Sequence, residues 1–217
     1  MGNPRDSYQD HRVVDEYDRR RFYSLYDRLK NLLFLRALTR RIAVLPRQSI
    51  VVDIPCGTGR IDDWLLRAGL RVVAADVSVE MLNRTRRQVH ATGTWLGLLH
   101  ADASALPLRS KSIDCAISIR FFHLLDRSFQ LAILTEFARV TRELVVVEYA
   151  CDFPAKAFKR TVLSWLGRKV APPKITRDAV WEDFSRCGLS VDRVRSRTPW
   201  FSASTLVVAS FQPASNK

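Results

Sequence analysis

Features of a metal, disulfide or membrane protein are scarce in this sequence. Its four cysteines and four histidines are scattered over 217 residues, and no CxxC pair occurs. Such spacing argues against a zinc site and against a disulfide framework, so we expect no bound metal. Cys115 lies in an apolar run and fits a buried free thiol better than a reactive one.

Long apolar runs are also missing. No stretch of 18 apolar residues occurs, and the first residues, MGNPRDSYQDHRVVDEYDRRR, are charged where a secretory signal would be apolar. We therefore expect a cytoplasmic protein, with peripheral contact at the inner membrane face left open. The chain has no internal repeat, and its length favours a single domain.

Acidic residues are few relative to basic ones. Lys and Arg total 35 and Asp and Glu total 22, which gives a formal net charge of +13. Two segments contain no acid: residues 28–47 have six basic residues and residues 156–177 have seven. The excess favours an anionic partner such as RNA, a membrane surface or a phosphorylated substrate, and charge alone does not choose among them.

Short apolar runs alternate with helical segments from Ser49 onward. SIVVDIP and LRVVAADV are rich in β-branched residues, and IDDWLLRAG between them has helical spacing. Further strands are expected at TWLGLLHAD, SIDCAISIR and RELVVVEYA, and LSVDRVRSRTPW can pair with SASTLVVASF. The alternation predicts an α/β fold with a Rossmann-like doubly wound sheet, mostly parallel with a C-terminal antiparallel strand, and helices on both faces.

The stretch VVDIPCGTGR places Gly57 and Gly59 between the first strand and a helix. Glycines at such a turn let backbone N–H groups and the positive end of the helix approach a ligand closely. A third glycine would complete the dinucleotide fingerprint, but Asp62 stands there and is poorly suited to a pyrophosphate. A nicotinamide-dependent oxidoreductase is therefore the poorest fit among the nucleotide-binding enzymes.

Carboxylates at the ends of the first two strands narrow the choice of ligand. Asp53 suits a cationic group, and Asp76 is well placed to accept hydrogen bonds from the hydroxyl pair of a ribose. S-adenosylmethionine combines a positive amino-acid end with a ribose.

Four segments in order resemble the class I S-adenosylmethionine-dependent methyltransferases, of the small-molecule type that includes quinone C-methylating enzymes. They are VVDIPCGTGR, VVAADVSVEML, HADASALPLRSKSID and AISIRFFHLLDRSFQLAILTEFARVTRELVVVEY. The resemblance implies S-adenosylmethionine as the cofactor. It also implies a set of cofactor-binding residues: Asp53, Pro55, Cys56, Gly57, Thr58, Gly59, Asp76, Val77, Met81, Asp102, Ala103 and Arg120.

Within this resemblance, Asp76 binds the ribose and Met81 lies near the adenine. Asp102 binds the adenine amino group, and the backbone N–H of Ala103 faces the ring. Pro55 stands where the superfamily usually has glycine, and we interpret it as a variant of the turn.

The resemblance leaves the methyl acceptor open, because methyl transfer needs alignment and exclusion of water more than a dedicated base. Two residues are candidates for a catalytic role. His123 could act as a general base, or could cap or pack at the start of a helix. Tyr17 lies in a segment that resembles a helix closing over the cofactor, or it merely packs. Glu148 and Tyr149, at the end of the fifth strand, are expected to face the same crevice.

The chain divides into five segments within one methyltransferase domain. Residues 1–46 would form a helical lid and residues 47–150 the S-adenosylmethionine-binding core. Residues 151–177 form a basic cap insertion, residues 178–211 the final helix and strand pair, and residues 212–217 a tail. The insertion fits a helix on an anionic membrane or over a lipid or phosphorylated substrate, and equally a cap that joins the core.

The leading expectation is a methyltransferase that acts on a small-molecule or lipid-like acceptor. An RNA methyltransferase that uses the basic surface is the first alternative, although no RNA-binding module is recognisable. A non-catalytic partner subunit that binds S-adenosylmethionine is the second.

Overall fold

The structure is a computed structural model that describes residues 25–89, 94–150, 163–165, 176–196 and 204–211. Its strands are β1 (Ile50–Asp53), β2 (Arg71–Asp76), β3 (Trp95–His100), β4 (Ile113–Ser118), β5 (Thr141–Ala150), β6 (Leu189–Ser196) and β7 (Ser204–Phe211). Its longer helices are α1 (Leu25–Ile42), α2 (Asp62–Arg67), α3 (Val79–Gln88), α4 (Arg127–Val140) and α5 (Arg177–Arg186). A 3-10 helix covers Phe122–Leu124.

Within the described residues, seven strands form one sheet in the order β3-β2-β1-β4-β5-β7-β6. β1 pairs in parallel with β2 and β4, and parallel pairing continues outward to β3 and β5. β7 is antiparallel to β5 on one side and to β6 on the other. The predicted α/β fold, a Rossmann-like sheet with a C-terminal antiparallel strand, is confirmed.

Both faces of the sheet are covered by helices, as the sequence pattern predicts. Successive residues of a strand point to opposite faces, so Val145 and Val147 of β5 join one apolar cluster and Val146 joins the other. The first cluster includes side chains of α4 and α5, and the second includes side chains of α1 and α2. The central strands are continuously apolar because neither of their faces meets solvent.

Cys115 of β4 lies at the centre of this packing. It is fully buried and is a free cysteine. Burial raises the pKa of its thiol, so the side chain stays protonated and behaves as a small apolar group. The expectation of a buried free thiol is confirmed.

Some sequence predictions fall outside the described residues. They include Tyr17 and the part of the lid within residues 1–24, most of the basic insertion, in residues 151–162 and 166–175, and the tail, residues 212–217. In the described ranges, no helix is both long enough and apolar enough to cross a membrane.

Candidate functional site

A cavity of about 390 Å³ lies at the carboxyl ends of the central strands. Its wall includes residues that directly follow β1, β3 and β4, together with the end of β2. The strand order reverses between β1 and β4, and ligands of open α/β sheets bind at such a point. The volume is that of a small-molecule site, roughly 300–1,000 Å³.

Most of the predicted cofactor residues line this cavity. They are Pro55, Cys56, Gly57, Thr58, Asp76, Val77, Met81, Asp102, Ala103 and Arg120. Asp53 and Gly59 belong to the predicted set but do not line it. The structure therefore brings together residues from four separate segments of the chain, and it places two of the predicted residues behind the wall.

The two glycines of the loop after β1 have different roles. Both have positive φ angles, +58° at Gly57 and +77° at Gly59. A Cβ added at Gly57 would meet no atom within 4 Å, whereas one at Gly59 would lie 2.8 Å from the Cγ2 of Thr85 in α3. Gly57 therefore faces the cavity, and Gly59 lets the loop pack against α3.

Pro55 costs the loop no hydrogen bond. The N–H of Ile54 donates to the carbonyl of Ile117 in β4 (2.9 Å), and the N–H of Cys56 donates to the carbonyl of Ala75 in β2 (2.8 Å). Because the anchoring N–H groups belong to the neighbours of Pro55, a residue without an N–H fits between them.

Two backbone N–H groups fix the carboxylate of Asp76 at the cavity wall. It is 5% exposed, its Oδ2 accepts from the N–H of Gly57 (3.0 Å), and its Oδ1 accepts from the N–H of Ser78 (2.9 Å). Burial raises the pKa of Asp76, and the N–H groups of Ser78 and Gly57 oppose that rise. Each carboxylate oxygen has a further lone pair for a ligand hydroxyl.

The turn after β3 places a second carboxylate on the wall. Oδ1 of Asp102 accepts from the backbone N–H of Ser104 (2.9 Å) and from its hydroxyl (2.8 Å). Ala101 and Ala103, on either side of Asp102, also line the cavity. This short turn therefore combines a carboxylate with two small side chains that leave room for a planar ring.

Two more carboxylates lie directly behind the glycine loop. Asp53 and Asp62 are both fully buried, and neither accepts a hydrogen bond from another described residue. Burial raises the pKa of Asp62 to about 7. Burial, followed by the charges of Asp62 and Asp76, raises the pKa of Asp53 well above its usual value. Asp53 cannot touch a ligand from this position, so its influence on a cation is electrostatic and passes through the loop.

This donor set fits an adenosyl ligand with a cationic end. The carboxylates of Asp76 and Asp102 accept hydrogen bonds and would suit hydroxyl and amino groups. The glycine loop provides a close approach, and the buried carboxylates behind it favour positive charge.

The far side of the cavity is apolar. Its wall is formed by Phe34, Leu35, Ile61, Ile119, Phe121, Leu124, Leu125 and Phe129, with Arg60 and Arg120 among them. Sequence reasoning did not identify Phe34 and Leu35 of α1 as cavity residues. Apolar residues at helical spacing predict a buried helix face, and that signal is the same for a core contact and for a cavity wall.

His123 does not line the cavity. It lies in the 3-10 helix and is exposed, although its neighbours Phe121 and Leu124 belong to the wall. The role of general base therefore stays a prediction without support from this geometry.

Glu148 and Tyr149 also lie away from the cavity, and the expectation that they face it is wrong. Glu148 is 3% exposed and Tyr149 is 1% exposed. The Tyr149 ring packs 5.1 Å from that of Phe122 and 6.1 Å from that of Phe184, measured between centroids. The 3-10 helix after β4 thus covers the end of β5, and the cavity lies at the ends of β1 and β4 instead.

Within the described ranges, no group of three or more His, Cys, Asp or Glu side chains could hold a metal ion.

Comparison with known proteins gives a consistent result. Residues 51–143 match the family described as "Methyltransferase domain". Demethylmenaquinone methyltransferase of Thermobifida fusca is 30% identical over 133 residues, which cover 59% of this chain and 54% of that protein. Malonyl-[acyl-carrier protein] O-methyltransferase of Pectobacterium atrosepticum is 34% identical over 116 residues, which cover 51% of this chain and 42% of that protein. The chain spans about half the length of these curated relatives.

Solved structures share the whole architecture. Magnesium protoporphyrin IX methyltransferase from Synechocystis, with bound SAH, matches with a TM-score of 0.77 over 96% of this chain and 98% of that chain. Its sequence identity is 15%, so this likeness shows the fold. The matched domain, the strand order and the ligand cavity at the reversal point agree: residues 51–143 form a methyltransferase domain, and the chain has the fold expected from its resemblance to the class I S-adenosylmethionine-dependent methyltransferases.

Proposed function

We propose that this protein transfers a methyl group from S-adenosylmethionine to a small apolar acceptor. The observation that carries the proposal is the carboxylate of Asp76, buried at the cavity wall and held by two backbone N–H groups. A carboxylate fixed in this way accepts hydrogen bonds from a ribose hydroxyl pair without reorganising. When bound, S-adenosylmethionine supplies a methyl group on a positively charged sulfur.

The residues after β3 would hold the adenine. Asp102 accepts from the amino group, and the N–H of Ala103 faces the ring. Met81, which is 5% exposed and lies on the wall, provides an apolar surface for the ring. Both roles rest on the resemblance and on the shared position of these residues at the cavity.

The glycine loop would hold the amino-acid end. Gly57 presents backbone to the cavity without a side chain, and Asp53 and Asp62 lie behind it. Charges in a buried environment act with less screening than at the surface, so these carboxylates favour a positive group on the cavity side of the loop.

The apolar side of the cavity would receive the acceptor. Side chains from α1, from the segment after β4 and from the start of α4 line this space and present apolar surface to it. Alignment of the acceptor in a dry site is the main contribution that the protein can make to methyl transfer.

The relatives support a small or carrier-bound acceptor over RNA. Their names specify demethylmenaquinone, malonyl-[acyl-carrier protein] and magnesium protoporphyrin IX, and none specifies a nucleic acid.

The proposal is tested by mass spectrometry of ligands retained on the purified protein, followed by an assay for S-adenosylhomocysteine release. Lipid extract, quinones and RNA are offered as acceptors. Release with a lipid or quinone fraction supports the proposal. Release with RNA alone would overturn the assignment of a small acceptor.

A further inference from the structure

The charges on the cavity wall are largely arranged by sign, and Asp126 is the exception. The carboxylates of Asp76 and Asp102 lie at the ends of β2 and β3, whereas Arg120 follows β4. Neighbouring strands of a sheet lie about 4.8 Å apart. In the order β3-β2-β1-β4, the ends of β3 and β4 are therefore about 14 Å from each other. The cavity is therefore negative where the adenosine would bind, whereas elsewhere on the wall the two guanidinium groups of Arg60 and Arg120 outnumber the carboxylate of Asp126.

Arg120 holds an unusual backbone conformation in this part of the wall. Its φ angle is +61°, in the left-handed region that residues other than glycine rarely adopt. Ile119 before it is 7% exposed and Phe122 beyond it is fully buried, so packing fixes the chain on both sides. Such conformations persist where the surrounding structure imposes them, and they concentrate at functional sites.

The cavity wall around Arg120 is mainly apolar, with the carboxylate of Asp126 also on it. Phe121, Leu124, Leu125 and Phe129 form the adjoining wall, and Phe34 of α1 completes it. A guanidinium binds a carboxylate or similar anion more strongly beside apolar surfaces than in water, and its planar donors match such an anion in geometry. Arg60, which also lines the cavity, adds to the positive potential.

Apart from Asp76 and Asp102, which the proposed function assigns to the cofactor, the described residues of the wall include no group suited to removing a proton from the acceptor. The thiol of Cys56 has its pKa raised, first by burial and then by the neighbouring carboxylates. The carboxylate of Asp126 caps α4, and the hydroxyl of Ser128 and the N–H of Phe129 lower its pKa. Neither the protonated thiol of Cys56 nor the weakly basic carboxylate of Asp126 is suited to accept a proton. The acceptor must therefore already carry its own nucleophile.

We propose that the methyl acceptor is an apolar anion, a carboxylate or an acidic phenolate or enolate, whose charged group binds Arg120. This rests on the proposed function. An acceptor of this kind has no proton to lose: its charged oxygen, or the α-carbon of an enolate, forms the bond to the methyl carbon, the carbon–sulfur bond breaks, and sulfur keeps the electron pair. The acceptor ends as a neutral ester, ether or ketone, and Arg120 acts as a specificity-determining residue.

Two fluorescent probes with the same aromatic skeleton test the proposal. 8-Anilinonaphthalene-1-sulfonate is an apolar anion, and N-phenyl-1-naphthylamine is its uncharged counterpart. Both are titrated into protein saturated with S-adenosylhomocysteine. Arg120→Gln should weaken binding of the anion roughly tenfold to thirtyfold, as expected for one charge-assisted hydrogen bond, and should leave the neutral probe within about twofold.

Arg67→Gln is the matched control. Arg67 is exposed, pairs with Asp63 and lies outside the cavity wall, so this variant should bind both probes as the native protein does. Arg120→Asn is a second variant in case Gln impairs folding, because Asn tolerates a positive φ better than most residues. Unchanged binding of the anionic probe in a folded Arg120 variant would overturn the proposal.

The other anion near this site would be the carboxylate of the cofactor itself. Titration of the Arg120 variants with S-adenosylhomocysteine and with 5′-methylthioadenosine, which lacks the amino-acid end, separates the two roles. The proposal expects both affinities to change less than about threefold. Selective loss of S-adenosylhomocysteine affinity would assign Arg120 to the cofactor and overturn it. Failure of the native protein to bind S-adenosylhomocysteine would contradict the proposed function instead, which keeps the two failures distinct.

Discussion

Asp53 and Asp62 lie at the two ends of the glycine loop as a pair of fully buried carboxyl groups. Neither accepts a hydrogen bond from another described residue, and the charge of Asp62 contributes to the raised pKa of Asp53. The part of the cavity wall formed by this loop starts at Ile54, directly after Asp53, and ends at Ile61, directly before Asp62. Because two like charges so deeply buried are unfavourable, the pair holds at least one proton near neutral pH when no cation is bound.

The first prediction concerns the pH dependence of stability. The folded-state pKa of Asp62, about 7, lies above its usual value, so the folded protein binds more protons than the unfolded chain. The contribution of Asp62 to the free energy of unfolding is therefore greatest below about pH 4, and it falls as the pH rises toward 7. The loss is on the order of 4 kcal/mol at most.

Asp62→Asn removes this titration. In urea unfolding, the variant should gain stability relative to the native protein by about 2–4 kcal/mol more at pH 8 than at pH 5. Asp63→Asn is the control, because Asp63 is adjacent in sequence but is partly exposed and pairs with Arg67 (2.9 Å). Equal shifts at both pH values for Asp62→Asn would refute the raised pKa.

The two glycines should respond differently to alanine. Gly59→Ala combines a positive φ with a 2.8 Å approach to Thr85 and should cost about 2–4 kcal/mol of unfolding free energy. Gly57→Ala has the positive φ alone and should cost about 1 kcal/mol. Its main effect should be on cofactor affinity, because the new methyl group enters the cavity. Thermal and urea unfolding of both variants check the order, and a larger stability loss at Gly57 would contradict it.

An ion pair between a half-exposed arginine and a buried carboxylate joins α4 to α5. Arg127 donates from Nη2 to Oδ1 of Asp183 (2.8 Å), and Asp183 is fully buried. Arg127→Met should destabilise the fold, because it leaves the fully buried carboxylate of Asp183 without its cation.

Arg186→Met serves as the comparison for that pair. Arg186 pairs with Glu182, and both side chains are more than half exposed, so its loss should cost less than about 1 kcal/mol. Equal effects of the two substitutions in chemical denaturation would show that the Arg127 pair contributes no more than a surface pair.

The fold was largely predictable from local sequence signals. β1 and β2 are short β-branched runs, and the helix between them ends at a glycine, Gly69, with a φ of +82°. Ser78 was expected as a helix cap, and its hydroxyl accepts from the N–H of Met81 (3.3 Å). Signals of this kind are local, so they can be read without knowing which segments meet.

The site was predictable in part. Asp76 and Asp102 were placed correctly on the cavity wall because the carboxyl ends of parallel strands share one edge of the sheet. The same rule failed for Tyr149, since the 3-10 helix after β4 packs Phe122 against its ring. Asp53 lies too deep behind the glycine loop to reach the ligand space. That depth is set by packing between distant segments of the chain, for which the sequence contains no local signal.

The central claim is that the cavity at the end of β2 binds S-adenosylmethionine through Asp76. Isothermal titration with S-adenosylhomocysteine tests it most directly, with Asp76→Asn and the control Asp63→Asn measured beside the native protein. The account predicts one site, a loss of about 1.5–3 kcal/mol of binding free energy for Asp76→Asn, and native affinity for the control. Absence of binding to the native protein at millimolar ligand, or equal affinity in the Asp76 variant, would contradict it.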